Sequence, residues 1–259
     1  MNLPEIESAQ RKLAAAKSVT VLTGAGISAD SGVPTFRGEG GLWKQFRGED
    51  LATPEAFQRH PETVWEWYTW RRDLIAAKQP NAAHEALVDF EKRVPLFTLI
   101  TQNVDGFHTL AGGRNVVELH GNIWKTRCVG CGRVSENRTA ALKTSSSPLP
   151  TCAPCGALLR PHIVWFGEEI DPADLEKSVT ACREGEVMLV IGTSGVVEPA
   201  ASFASFAKAN GAFIIEINIA PSLGARPDAL LLGRASDLVP KLLLDSVSKR
   251  YTFFWRPLL

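Results

Sequence analysis

The chain has 259 residues, with 28 Lys+Arg against 28 Asp+Glu, 45% hydrophobic and 22% charged residues, five Cys, five His and two Tyr. These proportions fit an ordinary soluble globule of one large or two small domains, able to fold without disulfide staples, and exclude disordered and fibrous classes. A net charge of zero argues against a strongly basic nucleic-acid binder or a polybasic membrane-surface protein.

The first segment, Glu5 to Lys17, is built of helix formers and leads into Ser18 to Thr23, a β-branched run that ends at Gly24-Ala25-Gly26. This pattern predicts helix, buried strand and glycine turn. Residues 39 to 85 then break the rhythm, Gly-rich at first and helical afterwards. Thr53-Pro54-Glu55 marks a helix start, and Pro61 to Lys78 reads as a Trp-rich helix. Val94 to Ile100 is the next predicted strand. Residues 122 to 160 form a second interruption, with paired cysteines around the Ser/Pro loop 145 to 150. Val187 to Ile191 and Ala212 to Ile217 complete the predicted interior strands. Near-continuous apolar strands separated by helical patterns indicate an α/β fold with a parallel, Rossmann-like sheet, whose ligands sit beyond the carboxyl ends of the strands. The expected organisation is a nucleotide-binding domain of residues 1–38, 86–121 and 161–259. The helical insertion 39–85 and the cysteine-bearing insertion 122–160 would form a smaller domain.

Four of the five cysteines fall in two CxxC pairs, Cys128/Cys131 and Cys152/Cys155. Two such knuckles place four thiolates where a tetrahedral zinc wants them, and a four-sulfur shell leaves no open position for water, so a structural zinc is expected. The lone Cys182 reads as a small buried residue. No apolar run reaches the roughly 18 residues needed to span a bilayer, and no apolar stretch follows basic residues at the N-terminus. A cytoplasmic, reducing compartment is therefore expected.

Gly24-Ala-Gly-Ile-Ser-Ala29 after a strand matches a dinucleotide-binding turn, in which missing side chains let a pyrophosphate approach backbone N–H groups. The acidic residue that a dehydrogenase carries about 20 residues on, at the end of a second strand, has no counterpart, because the stretch from Gly40 is not a strand. More informative is the whole set in order: the run from Gly24 to Gly38, Thr101 to His108, Leu119-His120-Gly121, the four cysteines, Pro161 to Glu168, Gly192-Thr193-Ser194 and Asn218. From about Val19 to Leu242 the chain resembles the sirtuin family of NAD-dependent protein-lysine deacylases.

That resemblance implies NAD as co-substrate, held by Gly24, Ala25 and Gly26 and by the loop from Asp30 to Trp43, with Phe36 and Arg37 near the nicotinamide ribose and phosphates. It assigns Gln102, Asn103, Val104 and Asp105 to the nicotinamide pocket. Gly192, Thr193, Ser194, Asn218, Ile219, Ala220 and Ala235 fall on the adenosine side. The family often has an acidic residue just after Asn218; Ile219 and Ala220 leave that contact to the backbone. His120 matches the catalytic histidine, and an imidazole near pKa 6.5 suits general-base work on a ribose hydroxyl. The implied products are free lysine, nicotinamide and O-acyl-ADP-ribose. Val164, Phe166 and Gly167, together with residues 196 to 198, are expected to flank the substrate peptide as paired strands. His60, His84, His108 and His162 read as structural.

Tyr68 and Arg71 lie three apart on one helix face. Their spacing matches the Tyr-x-x-Arg signature of desuccinylase-type sirtuins, in which phenol and guanidinium bind the distal carboxylate of succinyl- or malonyl-lysine by charge-assisted hydrogen bonds. The expected function is removal of succinyl and malonyl groups, with acetyl as a further substrate. The alternatives are mainly deacetylation or protein ADP-ribosylation. The expected partners are acylated lysines on proteins, with no nucleic acid or membrane and a monomeric state. A zinc-ribbon nucleic-acid module is disfavoured, since Lys125, Arg127, Arg133, Arg138 and Lys143 lack interleaved aromatics beyond Trp124.

Overall fold

The computed structural model describes residues 3–37, 41–44, 46–138, 148–224 and 226–251. Its main sheet is built from the apolar runs. Strands β1 (Ser18–Thr23), β2 (Leu96–Thr101), β7 (Val187–Ile191) and β8 (Phe213–Asn218) form the interior, flanked by the short edge strands β3 (Val116–Glu118) and β9 (Ala229–Leu232). The order is β3-β2-β1-β7-β8-β9, with every pairing parallel. Side chains alternate between two cores because successive residues of a strand point to opposite faces. Val19, Val21, Leu99, Leu189 and Ile215 pack toward α1 (Leu3–Ala15), α6 (Ala82–Glu91) and α10 (Ala235–Tyr251). Leu22, Ile100, Met188, Val190 and Ile214 pack on the opposite face, with Cys182 of α8 (Pro172–Glu184) and Phe203 and Ala207 of α9 (Ala200–Ala209). All five residues of β7 are buried, each large apolar side chain contributing about 1.5–3 kcal/mol.

The chain runs outward from β1 through β2 to β3, and outward from β7 through β8 to β9, so the strand order reverses between β1 and β7. Open parallel sheets bind ligands at this switch point. Here the turn after β1, continuing into the one-turn helix α2 (Gly26–Ala29), presses directly on the turn after β7. A Cβ on Gly26 would lie 2.7 Å from Gly192 Cα, one on Gly24 would lie 2.8 Å from Gly192 O, and Gly192 has φ +61°. The glycines allow two backbones to touch.

The remaining elements form a second unit. Helices α3 (Gly48–Leu51), α4 (Pro54–Arg59) and α5 (Pro61–Ala76), preceded by a 3-10 turn at Leu42–Lys44, follow β1 and α2. Strands β4 (Gly121–Cys128), β5 (Val134–Glu136) and β6 (Leu159–Ile163) form an antiparallel sheet of order β5-β4-β6. Thr53 caps α4 by accepting from Ala56 N, with Pro54 at the first helical position, as its sequence predicts. The two insertions share one core: Trp65 and Tyr68 of α5 pack with Ile123 and Trp124 of β4, Ile163 of β6 and Trp165 just beyond it. Trp65 Nε1 donates to Leu159 O at 2.9 Å, and the buried Arg72 donates through Nε to Ile123 O at 2.7 Å. Helix α7 (Phe107–Leu110) inserts Phe107 into the same core. Among the described residues no helix is long and apolar enough to cross a membrane.

Cys128 and Cys131 at the end of β4 face Cys152 and Cys155 in the segment before β6. All four sulfurs lie within 4.8 Å of one another, with Cys128–Cys155 at 3.4 Å and Cys131–Cys152 at 3.8 Å. Zinc–sulfur bonds of about 2.3 Å give a tetrahedron edge of roughly 3.8 Å, so the four thiolates fit zinc and cluster as its binding site. Each knuckle turns on a left-handed glycine, Gly132 at φ +71° and Gly156 at φ +74°.

Two outcomes are expected. Gly192→Ala forces a Cβ within 2.5 Å of Ile27 N in a left-handed conformation and lowers unfolding stability in urea by about 3 kcal/mol; a loss below about 0.5 kcal/mol would contradict the contact. The purified chain carries one equivalent of zinc by elemental analysis, and Cys152→Ser lowers the melting temperature by about 10 °C. A metal-free chain that melts unchanged would show that the cluster is not structural.

Candidate active site

Between the two units, at the carboxyl ends of β1 and β7, lies a cleft of about 1120 Å³. It is lined by Gly24, Ala25, Gly26, Asp30, Phe36, Arg37, Gln102, Asn103, Val104, Gly192, Thr193, Ser194, Asn218, Ile219, Ala220 and Ala235. His120, Tyr68, Arg71, Val164, Phe166 and Gly167 share it. Residues far apart in the chain therefore meet in one cavity. Two expected residues differ: Asp105 stands behind the lining, and the side chain of Trp43, like residues 38–40 of the same loop, lies outside the described residues.

The turn amides differ from the expectation for a phosphate cradle. Gly24 N donates to Ile191 O at 3.0 Å and Gly26 N to Gly192 O at 2.8 Å, so both serve the inter-turn contact. Asp30 also has a structural partner. Its carboxylate accepts from Arg234 at 2.7 Å and from Ser236 Oγ at 2.6 Å, tying α2 to the start of α10; burial is the largest single effect on its pKa and raises it, but these bonds and the Arg234 charge together outweigh it and hold the pKa low.

The polar floor behind the cleft is a connected buried network. Asn103 Nδ2 donates to Gly24 O (3.0 Å) and Ser28 Oγ (3.3 Å), and Ser28 Oγ donates to Asp105 Oδ2 (2.8 Å), whose other oxygen accepts from Phe107 N. Burial raises the Asp105 pKa above its ordinary value, opposed by these donors and by the charge of Arg71. His84 completes the capping box of α6: its Nδ1 accepts from Asn81 N, which leaves the proton on Nε2, facing Ser28 Oγ at 3.4 Å. Burial pushes His84 down to about 4 and His108, 3.0 Å from Thr23 Oγ1, well below its ordinary value, so both are neutral structural groups.

His120 sits in the turn between β3 and β4. Its Nδ1 lies 3.2 Å from Gln102 O, and since a carbonyl only accepts, Nδ1 carries the proton and Nε2 is left as the basic nitrogen. Burial lowers its pKa, with the bond to Gln102 partly opposing, so it is neutral at pH 7. Along the strand ends, Asn218 Nδ2 donates to Thr193 O at 2.7 Å and Gln102 Nε2 to Thr193 Oγ1 at 3.0 Å, joining the ends of β2, β7 and β8.

Val164–Gly167 and residues 196–198 have no strand pairing within the chain, and Val164, Phe166, Gly167, Val197 and Glu198 line the cleft. The first segment is fastened along one edge, Val164 N to His120 O (3.0 Å) and Phe166 N to Ala52 O (2.9 Å). Sequence reasoning missed its anchor, which only the β6 hairpin brings together. Glu168 receives a bidentate Arg160 guanidinium and also accepts from Trp165 N, while Arg160 lies 3.4 Å above the Trp165 ring. Glu198, a negative charge in the cleft lining, accepts from Ser202 Oγ at 2.7 Å.

Tyr68 and Arg71 of α5 are 1% and 6% exposed. The guanidinium of Arg71 is surrounded by the rings of Phe36 (4.7 Å), Trp67 (5.0 Å) and Tyr68 (6.0 Å). Burial lowers its pKa, yet a guanidinium stays charged at neutral pH. Among the described residues no carboxylate forms an ion pair with it. Burial pushes the Tyr68 phenol up to about 12, so its O–H is intact.

With this geometry in hand, comparison with known proteins is direct. The Sir2 family profile matches residues 24–199. An NAD-dependent protein deacylase of Aquifex aeolicus is 54% identical over 201 residues, covering 78% of this chain and 83% of that one. A solved complex of a Sir2 homologue mutant with ADP-ribose superposes with a TM-score of 0.88 at 42% identity, covering 96% of this chain and 99% of the other. A Sir2 homologue–NAD complex gives a TM-score of 0.85 at 42% identity, covering 94% of each. The chain belongs to the Sir2 family.

Proposed function

We propose that this chain is an NAD-dependent protein-lysine deacylase that removes succinyl and malonyl groups, and acetyl groups less efficiently. The observation that carries the acyl preference is Arg71, a buried cation that forms no ion pair among the described residues and feels the Asp105 carboxylate only from beyond ion-pair distance, lining the same cleft as His120. A charge so placed is costly unless a partner arrives, and a distal acyl carboxylate is that partner. An acetyl methyl offers it nothing. In this reading residues 1–38, 86–121 and 161–259 form the NAD-binding domain and the two insertions form the small domain, with the acyl-lysine passing between them.

The cleft, at about 1120 Å³, has room for a dinucleotide together with an acyl-lysine. NAD would lie along the β1 and β7 turns, its nicotinamide toward Gln102, Asn103 and Val104 and its adenosine toward Thr193, Ser194, Asn218 and Ala235. Bound NAD would supply the electrophilic ribose carbon, at which the acyl oxygen of the lysine would displace nicotinamide. Phe36 covers that end of the cleft and helps exclude water. His120 Nε2 takes the proton from a ribose hydroxyl and later returns it, while Nδ1 stays bonded to Gln102 O, which keeps the ring in that tautomer. Asp105 acts from behind by holding Ser28 and, through it, Asn103.

Two measurements test this. Mass spectrometry of a succinyl-lysine peptide incubated with NAD is expected to show free lysine and O-succinyl-ADP-ribose. Arg71→Met and Tyr68→Phe are each expected to lower kcat/KM for that peptide about tenfold or more relative to its acetyl counterpart; intact desuccinylation in both variants sinks the acyl assignment. For His120, the base works only when neutral and its folded pKa is depressed, so kcat/KM is expected to be level through pH 7 and to fall as pH drops below about 6.5. A midpoint above pH 7, or turnover in His120→Tyr, would contradict the role given to it.

A further inference from the structure

Trp165 is held by a cation over its ring, by a neighbouring aromatic and at its N–H edge. Arg160, locked by Glu168, stacks 3.4 Å from its ring centroid; Phe57 packs at 5.5 Å; and its Nε1–H donates to Tyr68 Oη at 2.8 Å. The indole is 3% exposed and so has little freedom to leave this arrangement. An indole N–H can only donate, so it takes a lone pair of the Tyr68 oxygen and turns the phenolic hydrogen elsewhere. The neighbouring Arg71 is also a pure donor. Among the described residues the Tyr68 hydroxyl donates no hydrogen bond. Its hydrogen is therefore available to the cleft that Tyr68 lines.

We infer that Trp165 is a positioning residue for acyl selectivity: by donating to Tyr68 Oη it makes that hydroxyl a donor toward the cleft, so that Tyr68 and Arg71 together present donors only. A carboxylate, which only accepts, matches such a site, whereas a carboxamide or hydroxyl would place a donor against donors. Donation from the indole also polarises the phenol and strengthens its own O–H as a donor. The Arg160–Glu168 pair serves the same end by holding the ring. This inference rests on the acidic-acyl reading above.

The test is a double-mutant cycle on matched succinyl- and acetyl-lysine peptides. Trp165→Phe keeps an aromatic ring and removes the N–H. It is expected to lower the succinyl-to-acetyl ratio of kcat/KM about fivefold to tenfold, through KM for the succinyl peptide. In a Tyr68→Phe background the same change is expected to cost no further selectivity, because its effect passes through the hydroxyl. Should Trp165→Phe fold poorly, site-specific benzothienylalanine, with sulfur in place of the N–H, makes the same test. Equal losses on both peptides, or the same loss with and without the Tyr68 hydroxyl, would mean simple packing and overturn the inference. Selectivity that falls in Tyr68→Phe but survives in Trp165→Phe overturns this inference alone. A parent chain with no succinyl preference removes the underlying reading, and this one with it.

Discussion

The structure depends on one backbone-to-backbone contact, where the turn after β1 meets the turn after β7. Gly24 and Gly26 approach Gly192 so closely that a Cβ at any of them would collide with main chain. Two strands running outward in opposite directions leave a crevice at this point, and the contact sets how near its walls can stand. Thr193 follows at once, bonded to Gln102 from β2 and to Asn218 from β8, so the cleft wall is built from three strand ends and tied together by side chains. Even the amides of Gly24 and Gly26 are used for this closure.

On the other side of the cleft, the helical insertion and the cysteine ribbon are distant in sequence but have no separate cores. Trp65, Tyr68, Trp124 and Trp165 interlock, and buried hydrogen bonds from Trp65 and Arg72 cross the join. The cysteine-bearing ribbon thus supports the helix that carries Tyr68 and Arg71. The same packing that fixes the helix deprives Arg71 of water and surrounds it with rings.

Much of this was legible beforehand because the signals were strong and local. Val187–Ile191 is a strand with the boundaries expected of a five-residue apolar run, and the CxxC pairs met as their spacing required. Helix and strand ends moved by a residue or two: α1 is Leu3–Ala15 rather than Glu5–Lys17, and β2 is Leu96–Thr101 rather than Val94–Ile100. β3 has only three residues and β9 reads Ala-Leu-Leu-Leu, which favours helix as much as strand, so neither edge was visible. In the cleft, residue type told which groups gather but not what each touches. Asp30 and Asp105 look alike as acids in a motif; only folding brings Arg234 to the first and Ser28 to the second. The Arg160–Glu168 pair was equally hidden, since its meaning lies in the Trp165 ring that Arg160 covers.

The central claim is that a buried guanidinium and a hydroxyl turned outward select an acyl group for its negative charge, not for its length. The most direct measurement is the affinity, by titration calorimetry without NAD, of one peptide bearing succinyl-lysine and of the same peptide with the distal carboxylate replaced by a carboxamide. The two acyl groups have nearly the same shape. The account predicts that the carboxylate binds at least about tenfold tighter, as expected for charge-assisted hydrogen bonds in a dry pocket. Equal affinities would contradict it.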